Sequence, residues 1–176
     1  MACSVTNGRK IPCKSSVGGI RNIFFAPYSD VTAALQPDGT GLITLNDSEE
    51  FFKYEVKGNS SLETAITSSR ENGTTFFEQT LNLTFTKLDK ATHKELKLMA
   101  YGRPHIFVED YNGNIFVMGL LHGAEVTGGT IVTGAAMGDL SGYTLTLSAQ
   151  EQVPANFLDA TLASAGVTVS ATQINP

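Results

Sequence analysis

The sequence predicts a mainly β fold of roughly eight strands, paired antiparallel, and one α-helix. Only 16% of the 176 residues are charged, below the usual quarter, and Thr, Ser, Asn and Gly fill the difference. These residue types favour strands and turns. Several segments alternate between apolar and polar residues, which is the period of a half-buried strand, and only one segment has the pattern of a helix. The predicted domain covers residues 20–157, between an N-terminal arm at residues 1–19 and a C-terminal arm at residues 158–176.

The first strands are short and are separated by turn residues. Ile20–Ala26 is rich in strand-forming residues and stops before Pro27. A loop follows, and residues 42–45 make the next strand. Residues 50–57 alternate, which predicts a strand with Phe52, Tyr54 and Val56 facing the core. Gly58 and Asn59 then turn the chain into a weakly apolar strand at Ser61–Ser69.

Thr74–Thr86 is the longest predicted strand, and its two faces differ. One face carries Phe77, Leu81, Leu83 and Phe85, with Gln79 between them. The other face is polar apart from its first residue and carries Phe76, Glu78, Thr80, Asn82, Thr84 and Thr86. Such a strand packs one face on a core and exposes the other to water or to a water-filled space.

Lys90–Tyr101 is the single predicted helix. Asp89 is a suitable N-cap, and Gly102 and Pro104 end the segment. The apolar stripe is incomplete because Leu98 lies off it.

The last third of the domain returns to strands. His105–Asp110 and residues 115–119 are joined through Asn112-Gly113, which predicts a hairpin with a type I′ turn. Residues 124–136 and 143–150 are further strand candidates. Beyond Leu158 the chain is a low-charge Ala, Thr, Ser and Val stretch, which we expect to become a strand only by pairing with another element.

A search for chemistry finds no catalytic or metal-binding motif. His93, His105 and His122 lack the spacing of helical zinc ligands, and the sequence contains no HExxH, GxSxG or Walker motif. Glu109 and Asp110 are adjacent on a strand and point to opposite faces, so they cannot act as a glycosidase pair. We therefore expect a protein that is not an enzyme and that needs no metal or cofactor.

Charge and cysteine content limit the possible partners. A net charge of -5 argues against a protein that grips DNA through its phosphates. No apolar run approaches a membrane span, and residues 1–14 lack the apolar stretch of a signal peptide, so we expect a chain made in a cytosol. Cys3 and Cys13 can form a disulfide in an oxidising medium, although free thiols are the expectation in a cytosol.

Four segments in this order resemble bacteriophage tail tube proteins. They are MACSVTNGRKIPCKSSVGGIRNIFFAPY at the N-terminus, SSRENGTTFFEQTLNLTF for the turn and long strand, DKATHKELKLMAYG for the helix, and HIFVEDYNGNIFVMGLLHGAEVTGGTIVTGAAMGDLSGYTLTLSAQEQVPANFL for the remaining sheet. The similarity covers roughly residues 1–158. It lies in the order of the segments and in their general residue pattern, and it includes no catalytic signature.

The resemblance implies a structural role in a virion tail assembled in the host cytoplasm. Tail tube subunits pack two antiparallel β-sheets as a sandwich or barrel with one flanking α-helix, and the resemblance implies the same fold here. The subunits close into hexameric rings, which stack into a tube that DNA passes through without specific binding. The partners implied are copies of the same chain and other tail proteins: tape measure, terminator, baseplate and, in a contractile tail, sheath. Closing the ring also removes exposed sheet edges.

Two sets of residues become candidates on this interpretation. The lumen candidates lie on the polar face of the long strand: Glu78, Thr80, Asn82, Thr84 and Thr86. A neutral to acidic lumen repels DNA phosphates. The ring-stacking candidates lie in polar, turn-rich loops: Pro37, Asp38, Gly39, Asp47, Glu49, Gly58 and Asn59.

Two other interpretations remain open at this point. A tail terminator, tube initiator or neck protein of related fold would cap a tube rather than extend it. A monomeric β-barrel that binds a ligand or glycan would need an apolar cavity or an aromatic platform. Phe doublets such as Phe24-Phe25 and Phe76-Phe77 face both ways on a strand, which favours a core plus an interface over one ligand cup.

Overall fold

The structure is a computed structural model that describes residues 7–28, 33–35, 43–45, 50–56, 58–159, 161–162, 167–170 and 174. Within these ranges it confirms the mainly β class and one helix, with two main sheets beside a separate two-stranded pair. One sheet has six strands and is mixed, and the other has four antiparallel strands. Within the described residues neither sheet closes into a barrel.

The elements follow the predicted order, with additional short strands. They are β1 Ile20–Ala26, β2 Ala33–Leu35, β3 Ile43–Leu45, β4 Glu50–Glu55, β5 Ser61–Ser69, β6 Thr74–Thr86, α1 Lys90–Tyr101, β7 His105–Asp110, β8 Ile115–Met118, β9 Glu125–Val132, β10 Gly142–Glu151, β11 Asn156–Phe157 and β12 Thr168–Val169. The six-stranded sheet has the order β11-β8-β7-β1-β4-β12, and the four-stranded sheet has the order β5-β6-β10-β9. β2 and β3 pair with each other in the region between β1 and β4.

The main core lies between the two sheets. The six-stranded sheet contributes Ile23, Phe25, Val56, Ile106, Val108 and Met118, and the four-stranded sheet contributes Leu81, Leu83, Leu147 and Ala149. Alternate residues of each strand supply this layer, as the period of a β-strand requires. Tyr54 and Phe85 pack at its margin, with ring centroids 5.7 Å apart.

A second core covers the opposite face of the six-stranded sheet. Phe24, Phe51, Phe107, Val117 and Leu120 face outward from the sheet and are buried by Leu158, Leu162 and Val167. The described part of the predicted C-terminal arm thus lies against this sheet, and β12 pairs in parallel with β4. This parallel pair is why the sheet is mixed, whereas the sequence predicted only antiparallel pairing.

The residues of β4 differ from the prediction in one respect. Val56 is buried and Tyr54 packs against the main core, as predicted, but Phe52 is 43% exposed. Its neighbour Phe51 is fully buried on the opposite face. The prediction assumed one apolar face, whereas the C-terminal segment gives β4 an apolar environment on its second face as well.

The helix is confirmed at both ends. The Asp89 carboxylate accepts hydrogen bonds from the backbone N–H groups of Ala91 and Thr92, and Gly102 caps the C-terminus. Hydrogen bonds from these N–H groups, above all that of Thr92, lower the pKa of Asp89 below its ordinary value. Tyr143 on β10 bonds the Asp89 backbone through its hydroxyl group, which ties the start of the helix to the four-stranded sheet.

The β7–β8 hairpin is confirmed, but the predicted type I′ turn is wrong. Gly113 alone in the turn has a positive φ, of +83°. Its N–H donates to the carbonyl of Asp110, and the Asp110 N–H donates to the carbonyl of Asn114. This is a three-residue loop with a left-handed glycine at its end, a form in which Asn112 keeps a negative φ.

Candidate functional site

The outer face of the four-stranded sheet is polar and open to solvent. The strand registers place these residues on it: Ser61, Glu63, Ala65, Thr67 and Ser69 of β5; Thr74, Phe76, Glu78, Thr80, Asn82, Thr84 and Thr86 of β6; Gly142, Thr144, Thr146, Ser148 and Gln150 of β10; Glu125, Gly128, Thr130 and Val132 of β9. The five lumen candidates therefore share one face. Only Gly142 among these residues is buried.

The charge on this face is entirely negative. Glu63, Glu78 and Glu125 are its only ionisable residues, and none of its described strand residues is Lys or Arg. Glu63 and Glu125 lie at opposite edges of the sheet in one lateral row, because Thr80 is the register partner of both Glu63 and Ser148, and Ser148 pairs with Glu125. Such a surface repels polyanions.

Hydroxyl and amide groups bond to each other across the strands of this face. The hydroxyl groups of Thr130 and Thr144 lie 2.6 Å apart, and the Thr146 hydroxyl donates to the Asn82 side chain at 3.0 Å. Cross-strand pairs of this kind stabilise the sheet. The result is a hydroxyl-rich surface whose described strand residues include no Lys or Arg to neutralise phosphates.

Both edges of this sheet are open in the described part of the chain. β5 pairs only with β6, and β9 pairs only with β10. Unpaired strand edges are sites for pairing with another chain unless they are blocked. Neither edge strand contains Pro or Lys, two of the residues that commonly block an edge.

Two apolar side chains are exposed at these edges, on the side that faces the core. Ile66 of β5 is 70% exposed and Ile131 of β9 is 58% exposed. Ile131 lines an open hollow of about 470 Å³ beside the start of α1, with Leu88, His93 and Tyr143. The apolar layer between the sheets thus extends to both edges of the four-stranded sheet, where its last side chains, Ile66 and Ile131, are exposed to solvent.

The two edges are displaced along the strand direction. β5 lies beside residues 74–82 of β6, and β9, followed through β10, lies beside residues 80–86. The centres of these ranges are residues 78 and 83, so the two edges are displaced by about five residues, or roughly 17 Å, along the strands. Across the sheet they lie three strand spacings of about 4.8 Å apart. A line that joins the centres of the two edges is therefore inclined by roughly 50° to the direction across the sheet, near the strand tilt of roughly 35–45° in closed barrels.

A buried polar cluster, which the sequence pattern did not reveal, holds the loop after β8. The Gln79 side chain accepts from the Gly119 N–H and donates to the Val153 carbonyl. Glu151 accepts from the N–H groups of Leu121 and His122 at 2.9 and 2.8 Å. Gln79 is fully buried and Glu151 nearly so. Buried polar groups on an apolar strand face were the available signal, because such groups require partners.

Aromatic and histidine side chains complete that cluster. Nδ1 of His105, which is buried, lies 2.7 Å from the Gly119 carbonyl. Tyr28 stacks on His105 and donates its hydroxyl to the Leu121 carbonyl, and Arg103 lies over the Tyr28 ring. These contacts hold Leu121 in an exposed position at the loop tip, where it is 46% exposed.

The ring-stacking candidates are only partly visible. Gly58 and Asn59 form the turn between β4 and β5, both with positive φ. Pro37, Asp38, Gly39, Asp47 and Glu49 lie outside the described residues. Cys13 is exposed with a free thiol, and Cys3 lies outside the described residues, so the structure leaves their pairing as a prediction.

Across the described ranges, no group of three or more His, Cys, Asp or Glu side chains is placed to hold a metal ion. No helix in those ranges has the length and apolar character needed to cross a membrane. Comparison of the chain with protein-family models, curated proteins and solved structures found no match.

Proposed function

We propose that this protein is a non-enzymatic structural subunit of a phage tail tube, which forms stacked hexameric rings whose lumen conducts DNA. The observation that carries the proposal is the combination of two open edges with an open polar sheet face on which the charged strand residues are all Glu. The hexameric number and the tail context come from the sequence resemblance, whereas the face and the edges are features of the structure.

The acidic face suits a lumen. Its three Glu residues repel phosphate groups, and two cross-strand hydrogen bonds, Thr130–Thr144 and Thr146–Asn82, engage part of its hydroxyl groups. DNA therefore passes such a surface without being retained. The opposite sheet is covered by the C-terminal segment and lies on the outside of the ring, where the other tail proteins would bind.

The edges suit ring closure. The four strands alternate in direction, so β5 and β9 point in opposite directions. When copies are related by rotation about an axis that runs roughly along the strands, β9 of one copy and β5 of the next are therefore antiparallel. Their stagger supplies the shear that a closed barrel needs. Pairing would also place Ile66 of one copy on the same side of the joined sheet as Ile131 of the next and cover both.

Electron microscopy of the purified protein with two matched variants tests this proposal. Ile131→Lys places a charge at the β9 edge and should abolish rings and tubes. Leu98→Lys is the control, because Leu98 is similarly exposed, at 56%, but lies on α1 and not on an edge strand, so its variant should assemble normally. Circular dichroism and the unfolding midpoint must show that both variants remain folded.

Each outcome separates the candidate functions. Long tubes for the original chain, lost in Ile131→Lys and kept in Leu98→Lys, support the proposal. Single rings that never stack favour a tail terminator, tube initiator or neck protein. A chain that stays monomeric at high concentration, and that binds a glycan or small ligand, would replace the proposal with a binding role.

A further inference from the structure

The tip of the β7–β8 hairpin holds the N-terminal segment through backbone contacts. The Asn112 side chain accepts a hydrogen bond from the Val17 N–H at 2.9 Å and donates one to the Val17 carbonyl at 2.7 Å. The Tyr111 N–H donates to the carbonyl of Gly19 at 3.3 Å. Residues 7–16 before this point are all exposed. The two-way bond from Asn112 therefore attaches an otherwise exposed arm to the body of the protein.

Asp110 holds the Asn112 side chain in place. Its carboxylate accepts from the backbone N–H and the side-chain amide of Asn112, at 2.9 and 3.1 Å, and from the same two groups of Asn114. Partial burial opposes ionisation of Asp110, but the hydrogen bonds from Asn114 and Asn112 outweigh it and lower the pKa of the carboxyl group. A negative charge thus lies within hydrogen-bond distance of the Asn112 amide nitrogen.

The residue after Asn112 makes this amide chemically vulnerable. In deamidation, the backbone nitrogen of the following residue attacks the Asn side-chain carbon, and ammonia leaves as a cyclic imide forms. Water then opens the imide to aspartate or isoaspartate. Gly113 has no side chain to hinder the attack. In the fold, however, its N–H is bonded to the Asp110 carbonyl at 3.2 Å, and Asn112 is held by three side-chain hydrogen bonds.

We propose that Asn112 is a spontaneous deamidation site that is protected while it holds Val17, and that its conversion releases the N-terminal arm. An aspartate at position 112 cannot donate to the Val17 carbonyl, and it places a second carboxylate against Asp110. Isoaspartate adds one methylene group to the backbone of a three-residue loop. The change is irreversible, so it limits how long the arm stays attached. The inference does not depend on the tail tube proposal.

The rate of deamidation is measured by mass spectrometry after incubation at mildly alkaline pH. Cleavage after Glu residues gives the peptide from Asp110 to Glu125, which contains both Asn112 and Asn114. Asn114 is an internal control, because it also bonds Asp110 but precedes the branched Ile115. We expect Asn112 to convert several-fold faster than Asn114 in the unfolded chain, and more slowly in the folded chain than in the unfolded chain.

A pair of substitutions tests the protection. Val17→Pro removes the N–H that bonds Asn112, whereas Val17→Ala keeps it. Deamidation of the folded Val17→Pro protein should be several-fold faster than that of the original chain, and Val17→Ala should leave the rate unchanged. Equal rates in both variants would show that the contact with Val17 gives no protection and would overturn that half of the proposal.

The release of the arm is tested by hydrogen exchange at the amides of Val17 and Tyr111, which donate to the Asn112 side chain and to the Gly19 carbonyl. Asn112→Asp should accelerate exchange several-fold at both amides. Asn114→Asp adds the same charge next to Asp110 without touching the arm and should leave that exchange slow. Equal acceleration in the two variants would mean that charge at the turn, and not loss of the contact with Val17, frees the arm.

Discussion

The two sheets of this protein differ in how completely the single chain covers them. The six-stranded sheet has an apolar layer on each face, one shared with the other sheet and one covered by the C-terminal segment. The four-stranded sheet has an apolar layer on one face only, and its edges end in exposed isoleucines. Both faces of the first sheet are covered within one copy, although its short edge strands also carry exposed Phe157 and Val169, whereas the second sheet leaves one whole face open.

This difference means that folding constrains the residues of the two regions unequally. Residues of the covered sheet are constrained by folding, because each face packs against apolar neighbours. Residues on the open face are free of that constraint, and yet they form a consistent surface of Thr, Ser and Glu. Substitutions in the two regions should therefore affect different measurements, and the four predictions below run from the largest expected effect on folding to the smallest.

The largest effect is expected at the second core. Phe107 is fully buried on the outer face of the six-stranded sheet, and its ring centroid lies 4.8 Å from that of Phe51. Phe107→Ala should lower the free energy of unfolding by about 3–5 kcal/mol, the usual cost of such a cavity. Denaturant unfolding measures it, with Phe157→Ala as the control, because Phe157 lies in the same sheet but is 45% exposed. A loss below about 1 kcal/mol for Phe107→Ala would mean that the C-terminal segment does not form a true core layer.

A smaller effect is expected at the buried carboxylate of the four-stranded sheet. Glu151→Ala leaves the N–H groups of Leu121 and His122 without their acceptor. The free energy of unfolding should fall by about 1–3 kcal/mol, and exchange of both amides should rise. Glu125→Ala, an exposed position in the same sheet, should change stability by no more than about 0.5 kcal/mol. Equal effects of the two substitutions would show that the loop is held by its aromatic contacts instead.

The same contrast explains what sequence patterns predicted and what they missed. The alternation of apolar and polar residues predicted β6 and its polar face, and the capping residues predicted both ends of α1. The covering of Phe51 and Phe107 by Leu158, Leu162 and Val167 was not predicted. It depends on contacts between residues far apart in sequence, and the low-charge C-terminal stretch has no period of its own.

The candidate site shows the same division. The lumen candidates were found because they alternate within one strand, and the structure places all five on one face. The open edges, and the stagger between β5 and β9, were not predicted, because they depend on which strands are neighbours in the sheet. The Asn112 contact was missed for a similar reason, since its partner Val17 lies 95 residues earlier.

A local effect is expected when acid protonates Asp110. The pKa of Asp110 is lowered from its ordinary value of 3.8, so its contribution is present in full above that value and is lost as the pH falls through the lowered pKa. Exchange at Val17, corrected for its intrinsic rate, should rise in that acidic window. The neutral side chain in Asp110→Asn should remove this pH dependence. An identical acid response in the variant would assign the effect to another carboxylate.

The smallest effect on folding is expected on the open face, where the same substitution should have its clearest effect on function. Glu78→Lys reverses one of the three charges and breaks no hydrogen bond between described side chains, so the free energy of unfolding should change by no more than about 0.5 kcal/mol. If the face lines a lumen, tubes of this variant should still form and should retain double-stranded DNA in a salt-sensitive way, because lysines now attract phosphates. Glu95→Lys on α1 gives the same charge change outside the proposed lumen and should leave DNA retention unchanged. DNA binding that rises equally in both variants would show that net charge, and not the position of the face, controls it, and the open face of the four-stranded sheet would then need another role.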